Sequence, residues 1–262
     1  FESGLKGLSA WKRVSDNRIY EIQQKNNIEI YKESELTLSH VNELGINNIF
    51  LATGSSWRKD GVGRSRRKPV QGLDSLQVLT PEEAIKQSPN LSGPIVVYDD
   101  EQGYLAGVIA DHLSFDEHEV IFITPASVVS PWTESTLEQK RIQKALLVSG
   151  VNVICNKTID KAEGSNLNLK CVFTGEISLL KCSSLVMVTE RIPNTTLYDQ
   201  LVEQENNTEQ GEAKHIQLIG DAESPGLIAD AVFLGHLAAQ SFEEPEQEIQ
   251  KAMFMREMPS LK

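Results

Sequence analysis

With 262 residues and 40% hydrophobic content, the chain is long enough for two modest domains with real cores. A net charge of −12 and a pI near 5.0 argue against nucleic acid or an anionic membrane surface as a partner. No apolar run approaches the ~20 residues of a spanning helix, so no membrane insertion is expected. The opening Phe1-Glu-Ser-Gly has no leader character and no initiating Met, so a piece of a longer polypeptide is expected.

From the start, Leu8 to Gln24 carries an amphipathic pattern, with Trp11, Val14, Ile19 and Ile22 apolar amid charge, and predicts a helix. Ile28-Glu-Ile-Tyr31 alternates as a half-buried strand does. Leu38 to Leu44 is a short helix candidate, and Asn48-Ile-Phe-Leu-Ala-Thr-Gly54 a buried strand ending in a sharp glycine turn. Residues 55–78 form a basic, Gly-containing crossing segment. Arg64, Arg66, Arg67 and Lys68 could form a phosphate patch; in an acidic protein a solvated linker is the simpler reading.

Thr80-Pro-Glu-Glu83 has the form of a capping box opening a helix, with Pro at the first helical position. A new unit follows: strand Pro94–Tyr98, helix Tyr104–Leu113, strand His118–Thr124, a helix over Glu134–Val148 with Leu137 inward, and strand Val151–Ile154. Strands alternating with helices imply a parallel sheet. Residues 158–188 switch to short strands around a turn at Gly164-Ser-Asn166, an antiparallel excursion that ends in the strand Ser184–Thr189. Residues 203–214 read as an exposed loop and Glu243–Lys262 as a polar tail.

Between them lies the most informative stretch, a strand from His215, the turn Gly220-Asp221, and a helix with small residues. Such a turn lets backbone pass close to a phosphate, and Asp221 can accept hydrogen bonds from sugar hydroxyls. Ser224 with Pro225 reads as the cap and first position of the helix, aiming N–H groups at an anion. The alternative is an ordinary strand-to-helix turn. The strand before residue 80 and the Gly-Asp strand after residue 192 belong together, which makes a domain inserted in a domain. Cys155, Cys171 and Cys182 are scattered and match no disulfide framework, zinc or iron–sulfur spacing, so a reducing cytoplasm is expected. The five histidines show no ligand spacing, and no nucleophile–base arrangement can be argued.

Three motifs in this order carry a resemblance: Ala52-Thr53-Gly54 followed by Ser-Ser-Trp-Arg-Lys-Asp-Gly, Ser130-Pro-Trp-Thr133, and Leu218-Ile-Gly-Asp-Ala222 followed by Ser-Pro-Gly-Leu-Ile-Ala-Asp-Ala. They are similar to the trimethylamine dehydrogenase family, with its histamine dehydrogenase and N-methyl-amine demethylase relatives. These are flavin and iron–sulfur members of the old-yellow-enzyme superfamily. The resemblance implies an α/β fold of two Rossmann-like units, one inserted in the other. An incomplete outer ADP/FAD-type unit would comprise 1–79 and 193–262, and an inner NAD(P)-type unit 80–192. It implies cofactor contacts at Thr53, Gly54, Gly220 and Asp221, with Ala222 adjacent, and no catalytic or metal-binding residue. ADP is the cofactor implied, ahead of FAD. FMN and a [4Fe–4S] cluster would lie in an N-terminal TIM barrel outside this chain. That barrel would be the partner, with an electron-transferring flavoprotein as acceptor and an oligomer possible. The rival readings are the NAD(P)H-binding part of a dienoyl-CoA-reductase-like flavin reductase, and a nucleotide-free interaction domain.

Against nicotinamide binding stands the first turn of the inner unit, Asp99-Asp100-Glu101-Gln102-Gly103. A working fingerprint places glycines there so that a pyrophosphate can approach the backbone. The three carboxylates read as a solvated acidic turn or, less simply, as ligands for a hard cation. The following strand ends Phe122-Ile-Thr-Pro125, without the acid or the Arg that would hold a ribose or its phosphate.

Overall fold

The computed structural model describes residues 2–87, 90–115, 118–207 and 214–242. The predicted tail from Glu243 and residues 208–213 of the predicted loop lie outside them. The chain divides into two compact units, Phe1–Tyr31 with Trp57–Arg191 and Lys32–Ser56 with Ile192–Lys262. No helix among the described residues is long and apolar enough to cross a membrane.

The first unit is built on a five-stranded parallel sheet, in the order β3 (Gln77–Leu79), β10 (Ser184–Val188), β4 (Ile95–Asp99), β5 (Val120–Ile123) and β6 (Asn152–Ile154). Helices α3 (Pro81–Gln87), α4 (Leu105–Phe115) and α5 (Gln139–Val148) connect its strands. The central strands are buried at every position and apolar but for Ser184 and Asp99 at their ends, because both faces are covered. Ile95 and Val97 pack with Leu105, Ile109, Ile142 and Leu146 on the helical face. Val96, Tyr98, Ile121 and Ile123 pack with Ile159, Leu167 and Leu169 on the other. That second layer is an antiparallel three-stranded sheet of β7 (Lys157–Glu163), β8 (Asn166–Cys171) and β9 (Ile177–Lys181), the excursion the sequence predicts.

The predicted capping box is present: Thr80 N donates to Glu83 Oε2 at 2.9 Å and Glu83 N to Thr80 Oγ1 at 3.2 Å. Three expectations fail here for local reasons. Leu137 adopts a left-handed φ of 62° and is 90% exposed, so α5 begins only at Gln139 and Leu137 does not face the core. Ile28–Tyr31 is not a strand, for it pairs with nothing among the described residues and its side chains are exposed. The basic segment is not a solvated linker: Val62 and Val70 are buried, and Arg66 donates to the carbonyls of Lys68, Pro69 and Ile159. The predicted first helix forms as α1 (Lys12–Gln23), with no residue buried.

The second unit pairs β1 (Asn48–Leu51) with β12 (His215–Leu218) in parallel, Leu51 opposite Leu218. Helices α2 (Leu38–Leu44) and α6 (Thr196–Asn206) accompany this pair, and Val41, Ile49, Leu51 and Leu201 form a small core. Residues 203–206 are thus the last turn of α6 and not loop. Helix α7 (Ile228–Ser241) closes the described chain. Where the chain crosses between the units, β2 (Ser55–Trp57) and β11 (Arg191–Pro193) form a two-stranded sheet.

Candidate nucleotide site

In the second unit the parallel register brings the carboxyl ends of β1 and β12 side by side, and with them the residues singled out from the sequence. Gly54 has φ 74° and Gly220 φ 61°, a region that L side chains avoid. Among the described residues, a Cβ on Gly54 would meet nothing within 4 Å, and one on Gly220 only Ala231 Cβ at 3.8 Å. Backbone conformation, rather than crowding within this unit, therefore demands glycine at both turns. Asp221 accepts from Ser55 Oγ at 3.1 Å and from Gly226 N at 3.1 Å. Ala222 is fully buried in the short 3-10 turn Gly220–Ala222. Thr53 Oγ1 donates to Asn194 O at 2.5 Å, and Asn194 Nδ2 returns a bond to Thr53 O at 3.1 Å.

Sequence reading missed Ser55 and Asn194, which fasten the turn. Asn194 follows a proline in Ile192-Pro-Asn, a turn signal, but nothing there points to Thr53. The predicted helix start is displaced. Ser224 N donates to Gly220 O, and α7 begins at Ile228, with Leu227 N capped by the Asp230 carboxylate at 2.7 Å. Gly226 stands where a Cβ would lie 2.7 Å from that carboxylate, so Ser224-Pro225 are held in the turn ahead of the helix.

The first turn of the first unit differs from the solvated form expected of it. Asp99 and Asp100 are fully buried. Pleating sends Asp99 to the helical face with Ile95 and Val97, and Asp100 to the opposite one. Asp100 accepts from Ser65 N at 2.9 Å and Ser65 Oγ at 2.6 Å. A Cβ on Gly63 would come within 2.5 Å of Asp100 Oδ2, so the segment from Trp57 lies directly on the turn. Asp99 Oδ1 accepts Gln102 N at 2.7 Å, while Asp99 Oδ2 has no partner. Gln102, not a glycine, takes the left-handed position, with φ 67°.

Burial raises the pKa of Asp99 well above the ordinary carboxylate value, and the Gln102 N–H offsets only part of that. Burial also raises Asp100 against its Ser65 bonds, and Glu101 against the charges of Arg191 and Arg64. Gly107 lets two helices approach closely: a Cβ there would lie 2.4 Å from Ile142 Cγ2 of α5. The next strand ends in its own turn, with Thr124 Oγ1 accepting Ala126 N. Arg64 stacks on Trp132 at 4.9 Å, and Arg191 on Trp57 at 5.2 Å. No three His, Cys, Asp or Glu side chains converge as a metal-binding group among the described residues.

No protein-family model matches the chain. Dimethylamine dehydrogenase from Hyphomicrobium sp. (strain x) is 26% identical over 272 residues, which take in 94% of this chain and 37% of that enzyme. The structure of histamine dehydrogenase from Rhizobium sp. 4-9 superposes with a TM-score of 0.89 at 36% identity, over 94% of this chain and 38% of that one. The 6-hydroxypseudooxynicotine amine oxidase from Pseudomonas geniculata N1 gives a TM-score of 0.85 at 30% identity, over 92% and 36%. The chain is thus a homologue of one stretch of amine-oxidising enzymes, spanning well under half of their length. Those enzymes belong to the trimethylamine dehydrogenase family.

Proposed function

We propose that this chain is the C-terminal nucleotide-binding and scaffold portion of a flavin- and iron–sulfur-dependent amine dehydrogenase or demethylase. In this reading two Rossmann-like units are nested. The inner one (80–192 in the sequence reading, reached through the segment from Trp57) is inserted into an outer ADP-type unit around β1 and β12. The inner unit binds no nicotinamide nucleotide. FMN, the [4Fe–4S] cluster and the catalytic residues belong to a TIM barrel outside this chain, and electrons leave to an electron-transferring flavoprotein. No residue here has a catalytic role.

One observation carries the reading. The β1–β12 register gathers Gly54, Gly220 and Asp221 at one pair of strand carboxyl ends, where open α/β sheets receive nucleotides. The residues fit part of an ADP site. Among the described residues the space beside Gly54 is open, and Asp221, held by Ser55 Oγ and Gly226 N, stands at the same pair of strand ends. The Gly54 and Gly220 backbones would lie along the nucleotide, with Asp221 toward its sugar hydroxyls. Bound ADP would supply charge and hydrogen-bonding groups that tie the unit together, with no redox step of its own. Against NADH, the inner turn offers carboxylates, and Ser65 already occupies Asp100.

The test is thermal unfolding with each ligand in turn. At a hundredfold excess over its Kd, ADP should stabilise by about 2.7 kcal/mol, and NADH should do nothing. Stabilisation by NADH alone would overturn the reading in favour of a reductase. No response to either would leave a nucleotide-free interaction domain.

A further inference from the structure

We infer that the free edge of β9 is where a second copy of this chain docks, the two strands pairing antiparallel about a two-fold axis with Leu179 opposite Leu179. The three-stranded sheet has two edges of different kinds. On the β7 side Gln71 pairs with Lys161 and accepts from Ala162 N at 2.8 Å, and a bulge breaks the register between Ile159 and Lys161. Covering and bulging are ways in which a sheet blunts an edge. Neither is found at β9 among the described residues. Its register with β8 is unbroken from Ile177 to Lys181, it contains no proline, and no strand lies on its other side.

The ladder fixes which backbone groups point outward. Cys171 N donates to Glu176 O at 2.9 Å, and Cys182 N to Ser165 O at 2.8 Å. Bonded positions alternate along an antiparallel strand, so Ser178 and Leu180 turn their backbone groups toward β8. Ile177, Leu179 and Lys181 turn theirs away. These N–H and C=O groups have no backbone partner among the described residues. The Ile177 and Leu179 side chains are 49% and 71% exposed, so the edge is open to an approaching strand.

The outward set is symmetric about Leu179, and that symmetry selects the occupant. Two-fold pairing brings Leu179 against itself and Ile177 against Lys181 of the second copy, each pair exchanging both backbone bonds. The side chains agree with this register. The two Leu179 side chains make an apolar centre, and each Ile177 lies beside the aliphatic stem of a Lys181. The two Lys181 residues stand about 13 Å apart along the strands, beyond the screening length of about 8 Å at physiological salt. No like charges within the strand pair face each other.

Sedimentation velocity on the 262-residue chain tests the pairing. The weight-average mass should rise from that of one chain, 29.1 kDa, toward two between about 1 and about 500 µM, the range of a small, transient interface. Leu179→Pro removes the central outward N–H on an edge where proline is tolerated, and Leu179→Lys sets two ammonium groups opposite each other. Either should weaken association about tenfold or more. Leu179→Lys alters only an exposed side chain, so it decides the matter even where proline disturbs the fold. Ile177→Glu sets a carboxylate opposite Lys181 and should tighten association about threefold. A chain that stays monomeric throughout the range would overturn the inference. So would self-association that Leu179→Lys leaves intact, which would place the contact elsewhere. Weakening by Ile177→Glu would also overturn it, because the contact would then be apolar adhesion without this register.

Discussion

Asp99 offers the sharpest test of the buried turn. It is fully buried, bonded through Oδ1 to Gln102 N and through Oδ2 to nothing. Its folded-state pKa stands above the unfolded value of about 3.9, because burial penalises the charge. The fold therefore holds this proton more tightly than the unfolded chain does. The stability so gained is complete below about pH 4 and drains away as pH climbs through the raised value. One proton sets a slope of about 1.4 kcal/mol per pH unit. Asp99→Asn keeps the acceptor for Gln102 N but has no proton to lose. Its amide carries a fixed cost in the place of Oδ2, which shifts stability equally at all pH values.

The assay is urea unfolding from pH 4.5 to 8, followed by tryptophan fluorescence. Trp11, Trp57 and Trp132 all belong to the first unit, so the signal reports that unit alone. The difference between wild type and variant should change by about 1.4 kcal/mol for each pH unit, in favour of the variant, until Asp99 ionises, and then level off. Parallel stability curves would refute the argument, because they would show that the proton is bound no more tightly in the fold.

Other consequences are as direct. Gly72 has φ 79°, and a Cβ there would lie 2.0 Å from the Ala162 carbonyl. Gly72→Ala should cost about 3 kcal/mol, from left-handed strain and the loosened Ala162 N to Gln71 O bond, read as a lower urea midpoint. Leu146 is fully buried on the inner face of α5, and Leu146→Ala should cost about 2–5 kcal/mol in the same assay. Gly54→Val should abolish the thermal shift with ADP while leaving the tryptophan-reported transition in place, since that glycine lies in the second unit. Bonds from the Thr174 hydroxyl and from the Thr174 and Phe173 amides lower the Cys171 thiol to about 7, whereas burial pushes Cys182 up to about 12. Iodoacetamide should therefore label Cys171 first, with a midpoint near pH 7 that Thr174→Val moves upward.

What was legible in the sequence followed locality. The Thr80–Glu83 capping box, α2 and the apolar runs of β4 and β10 depend on neighbours a few residues away, and the pattern records them. The same holds for the glycine turns at 54 and 220, where a backbone angle demands the residue. Features decided at a distance were not legible. The acidic turn looks solvated until Ser65, 35 positions away, is seen holding Asp100. The basic segment reads as linker because the carbonyl of Ile159 that anchors Arg66 lies 93 positions on. Leu137 fits a helical period, but nothing in that period reveals its left-handed backbone. Ile28–Tyr31 has the alternation of a strand and, among the described residues, no neighbour to pair with.

The parallel pairing of β1 with β12 also dictates an order of assembly. Ser55 and Asp221 are 166 positions apart, so synthesis must deliver the whole intervening sheet before the second strand exists. Left loose, so long a connection would close slowly, as non-local strand pairing does. Within the first unit the five-stranded sheet sets β3 and β10 side by side, so 107 of the intervening positions are already spanned once it has formed. Early ribosomal intermediates should therefore hold a finished five-stranded sheet with β1 still waiting for its mate. Damage to the five-stranded sheet would then delay the pairing of β1 with β12.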